Sequence, residues 1–279
     1  MGVLFARKAP TAVILRRGPS KRVELVLWDT ASDSFERGQW FQGRIYEHRC
    51  DLSPKGTFFV YFASKFNRRT VQDREYTYAW TAVSKPPYLT ALALWPKGDC
   101  WWGGGLFRDN YTLLLNHRPP EAVPHPQHKP KGLRVIPNPD AHGEDDPLYS
   151  QRLERDGWHL TRRWKIELLR RNGFRTHQPE VRQRDHPRGR LQITMSRSLN
   201  GFRYTERFRV DGPAGEVPVP LTAVSWVDWD QRGRLVALAQ GGVWAASVSG
   251  SRVGDLVRVI DLTSDRFQSK ESPSWARRW

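Results

Sequence analysis

With 279 residues, 38% of them hydrophobic and 12% aromatic, the chain can bury a large core and is not a disordered polymer. Its 45 Lys and Arg against 29 Asp and Glu give a formal charge of +16, which attracts polyanions such as RNA, DNA or an acidic partner. Two cysteines, Cys50 and Cys100, fifty positions apart without C-x-x-C spacing, suggest neither a disulfide framework nor a structural zinc site and read as reduced, buried thiols. The apolar runs of the N-terminus are broken by Arg7, Lys8 and Pro10, and no run approaches the ~20 residues that cross a bilayer, so the expectation is a soluble cytoplasmic protein with no membrane segment.

Period-2 alternation bounded by Gly, Pro, Asn or Asp recurs along the chain, whereas helical periods are scarce. Val23 to Trp28 reads as a strand closed by the turn residues Ser32, Asp33 and Ser34, and Gly43 to Glu47 as a short one. Thr57 to Ala63 follows Ser53-Pro54-Lys55-Gly56, Tyr76 to Val83 ends before Pro86 and Pro87, and Leu89 to Trp95 runs into Pro96-Lys97-Gly98. Residues 117–147 carry eight prolines and read as a loop or linker between β segments 1–116 and 148–279 of one continuous domain. Beyond it, Trp164, Ile166 and Leu168 alternate before the turn Asn172-Gly173, with a short helix over Trp164 to Arg171 as the competing reading. Leu191, Ile193 and Met195 alternate likewise before Asn200-Gly201, and Phe202, Tyr204, Phe208 and Val210 follow.

An apolar run, a Pro-Lys-Gly turn and an aromatic run recur at Gly56 and Gly98, 42 positions apart, and more loosely at Gly233, after Trp226-Val227-Asp228-Trp229-Asp230. A period of 40 to 50 residues with four short strands per unit is the signature of propeller blades. The segment DLSPKGTFFVYFA resembles the turn-and-strand unit of TolB-like and WD-repeat β-propellers, and VDWDQRGRLVALAQGGVWAASV resembles a further blade of that kind. The resemblance implies an all-β, propeller-like fold with irregular blades; two packed β-sandwich or barrel-like domains are the alternative.

The chemistry is read against that scaffold. Pro54-Lys55-Gly56 leads into a β-prone run rather than a helix, so it is a turn and not a phosphate loop, and Lys55 is expected in solvent. Trp101 and Trp102, followed by three glycines, have the makings of a stacking shelf, although core packing explains them too. His125 and His128 are kept off a regular helix by Pro124, Pro126 and Pro130, which argues against a metal site. Asp228 and Asp230 fit a turn cap better than a catalytic pair, and no nucleophile elbow occurs. No cofactor is implied.

Residues 151–190 hold twelve basic and five acidic side chains, eleven of the twelve being Arg, with Trp158, Trp164 and Phe174 among them. Such interleaving suits phosphate and base contacts, and Arg162, Arg163, Lys165, Arg170, Arg171 and Arg175 are the candidate binding residues. Three functions follow from these readings: a non-catalytic protein-interaction module, a nucleic-acid-binding protein using the 151–190 region, and a hydrolase with a site in a central channel.

Overall fold

The computed structural model describes every residue except 19–20, 170–172 and 202. The chain is all-β, and its contacts divide it into two compact units: unit 1, Met1–Arg152 with Asp265–Trp279, and unit 2, Leu153–Ser264. Among the described residues no helix is long and apolar enough to cross a membrane.

Unit 1 begins with an antiparallel meander of β1 (Gly2–Phe5), β2 (Thr11–Gly18), β3 (Arg22–Asp29) and β4 (Ser34–Gln42). In β2 and β3 the apolar stretches are continuous, and their register sets Val13 opposite Leu27 and Leu15 opposite Leu25. The β3–β4 turn forms because the Asp29 carboxylate accepts the amides of Ala31 and Ser32, while Asp33, at φ +55°, accepts the Trp28 indole N–H at 3.0 Å. A second sheet pairs β7 (Phe59–Ser64) with β8 (Ala79–Ser84) and β8 with β9 (Ala93–Pro96). The two-residue strands β5 (Arg44–Ile45) and β6 (Asp51–Leu52) both pair with β7. Leu15, Leu25, Ile45, Phe59 and Tyr61 join the two sheets in one buried cluster.

A third sheet consists of β10 (Gly105–Phe107), β11 (Thr112–Leu115) and, parallel to β11, β12 (Arg134–Pro137). Phe107, Leu113 and Leu115 pack there with Val60, Val83 and Trp95. The Pro-rich stretch 117–147 thus contributes a strand of its own. Two short helices were not anticipated. The first, α1 (Arg68–Gln72), is closed by a reciprocal cap in which Asn67 and Thr70 exchange side-chain and backbone bonds. The second, α2 (Asp146–Arg155), has Pro147 in its first turn and holds the boundary at Arg152. Arg152 is buried and donates to the carbonyls of Glu47 and Cys50.

The segment Asp265–Trp279 belongs to unit 1 and straps across it. Asp265 accepts from Arg37 Nε at 2.9 Å, Phe267 meets Trp40 edge-on, Ser272 accepts from Thr90 at 2.8 Å, and Trp275 meets Tyr88 edge-on.

One sheet of the chain is curled into half a barrel, and the largest sheet, in unit 2, has seven strands. Its strands are β13 (His159–Arg162), β14 (Lys165–Leu169), β15 (Gly173–Gln178), β16 (Glu180–Asp185), β17 (Gln192–Gly201), β18 (Arg203–Gly212) and β19 (Gly215–Val217). Lys165–Leu169 is strand, which rules out the helical reading of that stretch; the turn at Asn172 and the residue Phe202 lie outside the described residues. A separate antiparallel meander joins β20 (Trp226–Trp229), β21 (Leu235–Ala239), β22 (Gly242–Ala246) and β25 (Val257–Asp261), with the ribbon β23 (Val248–Ser249) and β24 (Arg252–Val253) between the last two in sequence.

The three glycines of the expected repeat all have positive φ, +76° at Gly56, +77° at Gly98 and +78° at Gly233. Their surroundings differ. Gly56 and Gly233 each donate to the residue three before them, Ser53 and Asp230, at 2.8 and 2.9 Å, and a strand follows within a few residues. Gly98 instead donates to Ala79, and Asp99 to Gly104 form loop rather than strand, so the repeat is local to the first and last of the three.

Candidate polyanion-binding face

The seven-stranded sheet of unit 2 has two chemically distinct faces, and the register separates them. Residues directly opposite one another across paired strands point the same way. Met195 opposes Arg182 and Phe208, and Arg197 opposes Glu180 and Glu206. This face is the covered one. Ile193, Met195, Leu199 and Val210 are buried, as are the guanidinium groups of Arg182 and Arg197. Arg182 is held by Glu180 at 2.9 Å, while Arg197 lies 4.2 Å from the Tyr204 ring centroid and 5.4 Å from that of Trp164.

The opposite face is polar and can be read in rows across the strands. Ser196 on β17 stands opposite Arg207 on β18 and Val181 on β16, and Val181 stands opposite Arg162 on β13. Asn200 stands between Arg203 and Arg175, and Thr194 between Arg209 and Gln183. Ser198 opposite Thr205 completes a ladder of small hydroxyl side chains between the Arg positions. Arg162, Arg175, Arg203, Arg207 and Arg209 are all exposed. Arg209 is paired with Asp211 at 2.7 Å, and Thr194 donates to the same carboxylate at 2.8 Å. The other four make no ion pair among the described residues. Asp185, Asp211 and Glu216 gather in a single row at one end of the face, and Glu167, opposite Arg175, is taken by His177 at 2.7 Å. A depression of about 340 Å³, lined by Arg162, Gln183, Thr194, Ser196 and Arg209, lies on the face.

Of the residues nominated from sequence, Arg162 and Arg175 stand on this face. Arg163 and Lys165 are exposed but sit at the β13–β14 connection and at a bulge, and Arg170 and Arg171 lie outside the described residues. Other members of the charged stretch are committed within the chain: Arg184 binds Asp228, Arg155 binds Asp156, and Arg188 donates to the Arg232 carbonyl. The aromatic residues expected to interleave with them support the covered side instead. Trp158 is buried against Phe208, and Trp164 stacks on Tyr204. Arg203, Arg207 and Arg209 fall outside the nominated window. Their signal was alternation, because Arg at 203, 207 and 209 interleaves with Tyr204, Phe208 and Val210.

The remaining candidates take structural positions. Trp102 donates its indole N–H to Glu121 at 2.7 Å, with Lys97 and Arg118 against its ring at 4.4 and 4.3 Å, while Trp101 is exposed; the two do not form one stacked pair. Asp230 caps its turn, accepting the amides of Arg232 and Arg234, and Asp228 is buried with Arg184. Burial raises the Asp228 carboxyl above the ordinary range, an effect that Arg184 opposes. His117 is buried in a polar chain: it bonds Thr81 Oγ1 through Nε2 at 2.8 Å, and Thr81 Oγ1 accepts the Gly104 amide at 2.8 Å. Burial lowers the His117 imidazole to about 4, so it is neutral, and its Nδ1 faces the Glu121 carbonyl at 3.3 Å. Lys55 is exposed. Among the described residues no three His, Cys, Asp or Glu side chains converge as metal ligands would.

No protein-family model matches the chain, and a search of curated proteins found no match. The site is therefore read from its own chemistry: an exposed β-sheet face bearing Arg forks and hydroxyls in register.

Proposed function

We propose that this protein is a non-catalytic binding module on a propeller-like β scaffold, and that its partner is a nucleic acid held on the Arg face of unit 2. The propeller reading rests on the four-stranded antiparallel meanders β1–β4 and β20-β21-β22-β25, on the five-stranded sheet whose path runs β5-β7-β8-β9, and on the two matching glycine turns at Gly56 and Gly233.

One observation carries the functional reading. Four Arg side chains free of carboxylate partners, drawn from three strands, share a face with a ladder of Ser and Thr. Arg forks bind phosphate oxygens bidentately and hydroxyls add neutral hydrogen bonds, so the face suits a backbone of repeated phosphates. The aromatic residues support the covered side, so the face lacks a stacking platform; contact through phosphates and little sequence preference follow.

Fluorescence polarisation with a single-stranded RNA or DNA oligomer, titrated from low to moderate salt, tests the proposal. Four phosphate contacts predict a log–log slope of about −3. Replacing Arg203 and Arg207 by Ser should reduce that slope by about 1.4 without altering the fold. Absence of binding at low ionic strength, or a slope unchanged in the double variant, would overturn it. In that case the same scaffold is left as a protein-interaction module for an acidic partner.

A further inference from the structure

A second concentration of positive charge lies in unit 1, in residues that no sequence motif singled out. The end of β2, the start of β3, β5 and the residues after β7 enclose a concavity of about 650 Å³. Five cationic side chains line it: Arg17, Lys21, Arg22, Arg44 and Lys65; no Asp or Glu does. The nearby carboxylate of Glu47 is engaged by Arg17. Among the described residues Lys21, Arg22, Arg44 and Lys65 make no ion pair.

Cations on an ordinary solvated surface point apart, because their repulsion is least that way. Here the backbone makes them converge, and aromatic rings hold two of them in place. The Arg44 guanidinium lies 4.2 Å from the Tyr46 ring centroid and that of Arg22 4.3 Å from Phe267. Phe66, 62% exposed, stands in the lining beside Asn67. The volume falls within the range of about 300–1,000 Å³ that encloses small organic ligands.

We propose that this concavity binds an organic polyphosphate of nucleotide size, with its phosphates on Lys21, Arg22, Arg44 and Lys65 and its ring against Phe66. The four unneutralised cations match a triphosphate in number, and Phe66, whose ring packs on Tyr78 at 4.7 Å, sets an aromatic surface beside them. All of these residues belong to unit 1, so the site is additional to the Arg face of unit 2.

Calorimetric titration of the full chain with adenosine triphosphate, pyrophosphate and inorganic phosphate at low ionic strength tests it. The expected result is one triphosphate per chain, weakened at least about tenfold by Arg44→Ser and by Lys65→Ser, as loss of a charge-assisted contact requires. Phe66→Ser should weaken adenosine triphosphate and leave pyrophosphate unchanged. Arg203→Ser/Arg207→Ser should alter neither, which separates this site from the nucleic-acid face. Absence of saturable binding, binding that survives Arg44→Ser and Lys65→Ser, or an equal loss in the unit 2 variant overturns the proposal. Pyrophosphate binding as tight as that of adenosine triphosphate overturns the assignment of the ring to Phe66.

Discussion

The buried carboxyl of Glu24 makes unit 1 sensitive to pH in a direction opposite to that of most proteins. Glu24 lies on β3 and is 2% exposed; its Oε2 finds no hydrogen-bond partner among the described residues, and the charge of Asp265 on the strap, itself held by Arg37, acts on it. Burial, reinforced by the Asp265 charge, pushes the Glu24 carboxyl up from 4.5 to about 7. A carboxyl whose folded-state value lies above its unfolded one binds its proton more tightly when folded. Its contribution is therefore complete below about pH 4.5 and is lost as pH rises to about 7. Each pH unit of separation is worth about 1.4 kcal/mol, and the partial solvent screening beside Arg16 and Arg37 reduces the total to about 1–2 kcal/mol. Glu24→Gln keeps the shape and is neutral at every pH, so it removes the titration alone. Urea denaturation of both proteins at half-unit steps from pH 4 to 8 measures the effect. The difference in unfolding free energy between wild type and Glu24→Gln should fall by that amount across pH 4.5 to 7 and be level on either side. A difference that stays level throughout would refute the raised Glu24 carboxyl.

Other changes have equally definite outcomes. Burial depresses His117, so its contribution is lost as pH falls from 6.5 through about 4, and His117→Asn should remove that slope from acid denaturation curves. Thr81→Val strands the Gly104 amide and His117 Nε2 together and should cost about 2–4 kcal/mol in urea unfolding. At Gly56, φ is +76° and an added Cβ would stand 2.8 Å from the Thr11 side chain, so Gly56→Val should cost about 2–3 kcal/mol, whereas Lys55→Ala stays within about 0.5. Arg184→Met leaves the Asp228 carboxylate buried without its partner and should lower unit 2 stability by about 3 kcal/mol, read from its thermal midpoint.

Strand content was legible wherever apolar residues alternated or ran unbroken between turn residues. Val23 to Trp28 lies within β3, and the apolar run after Gly233 is β21, because a strand buried on both faces reads as a near-continuous apolar run between turn residues. The strand Thr11–Gly18 is masked in the sequence because its apolar core ends in Arg16, Arg17 and Gly18, which read as a charged break. The helix α2 escaped because only Leu148, Tyr149 and Leu153 mark its buried side, within a Pro- and Asp-rich stretch. The candidate Arg face was half legible. Density of Arg in sequence pointed at 151–190, but which Arg faces solvent is fixed by cross-strand register, a long-range property no local window contains. The same limit hid the unit 1 concavity, whose five cations are spread from Arg17 to Lys65.

The strap Asp265–Trp279 has a consequence for synthesis. Residues that complete unit 1 are translated only after all of unit 2, so the growing chain carries an unfinished first unit while the second is made. During that interval Glu24 lacks Asp265 and Trp40 lacks Phe267, and this side of the β1–β4 sheet is open to wrong partners. The strap is therefore the last piece of unit 1 to be supplied: a chain truncated before Asp265 should be more accessible to protease in unit 1 than the full-length protein.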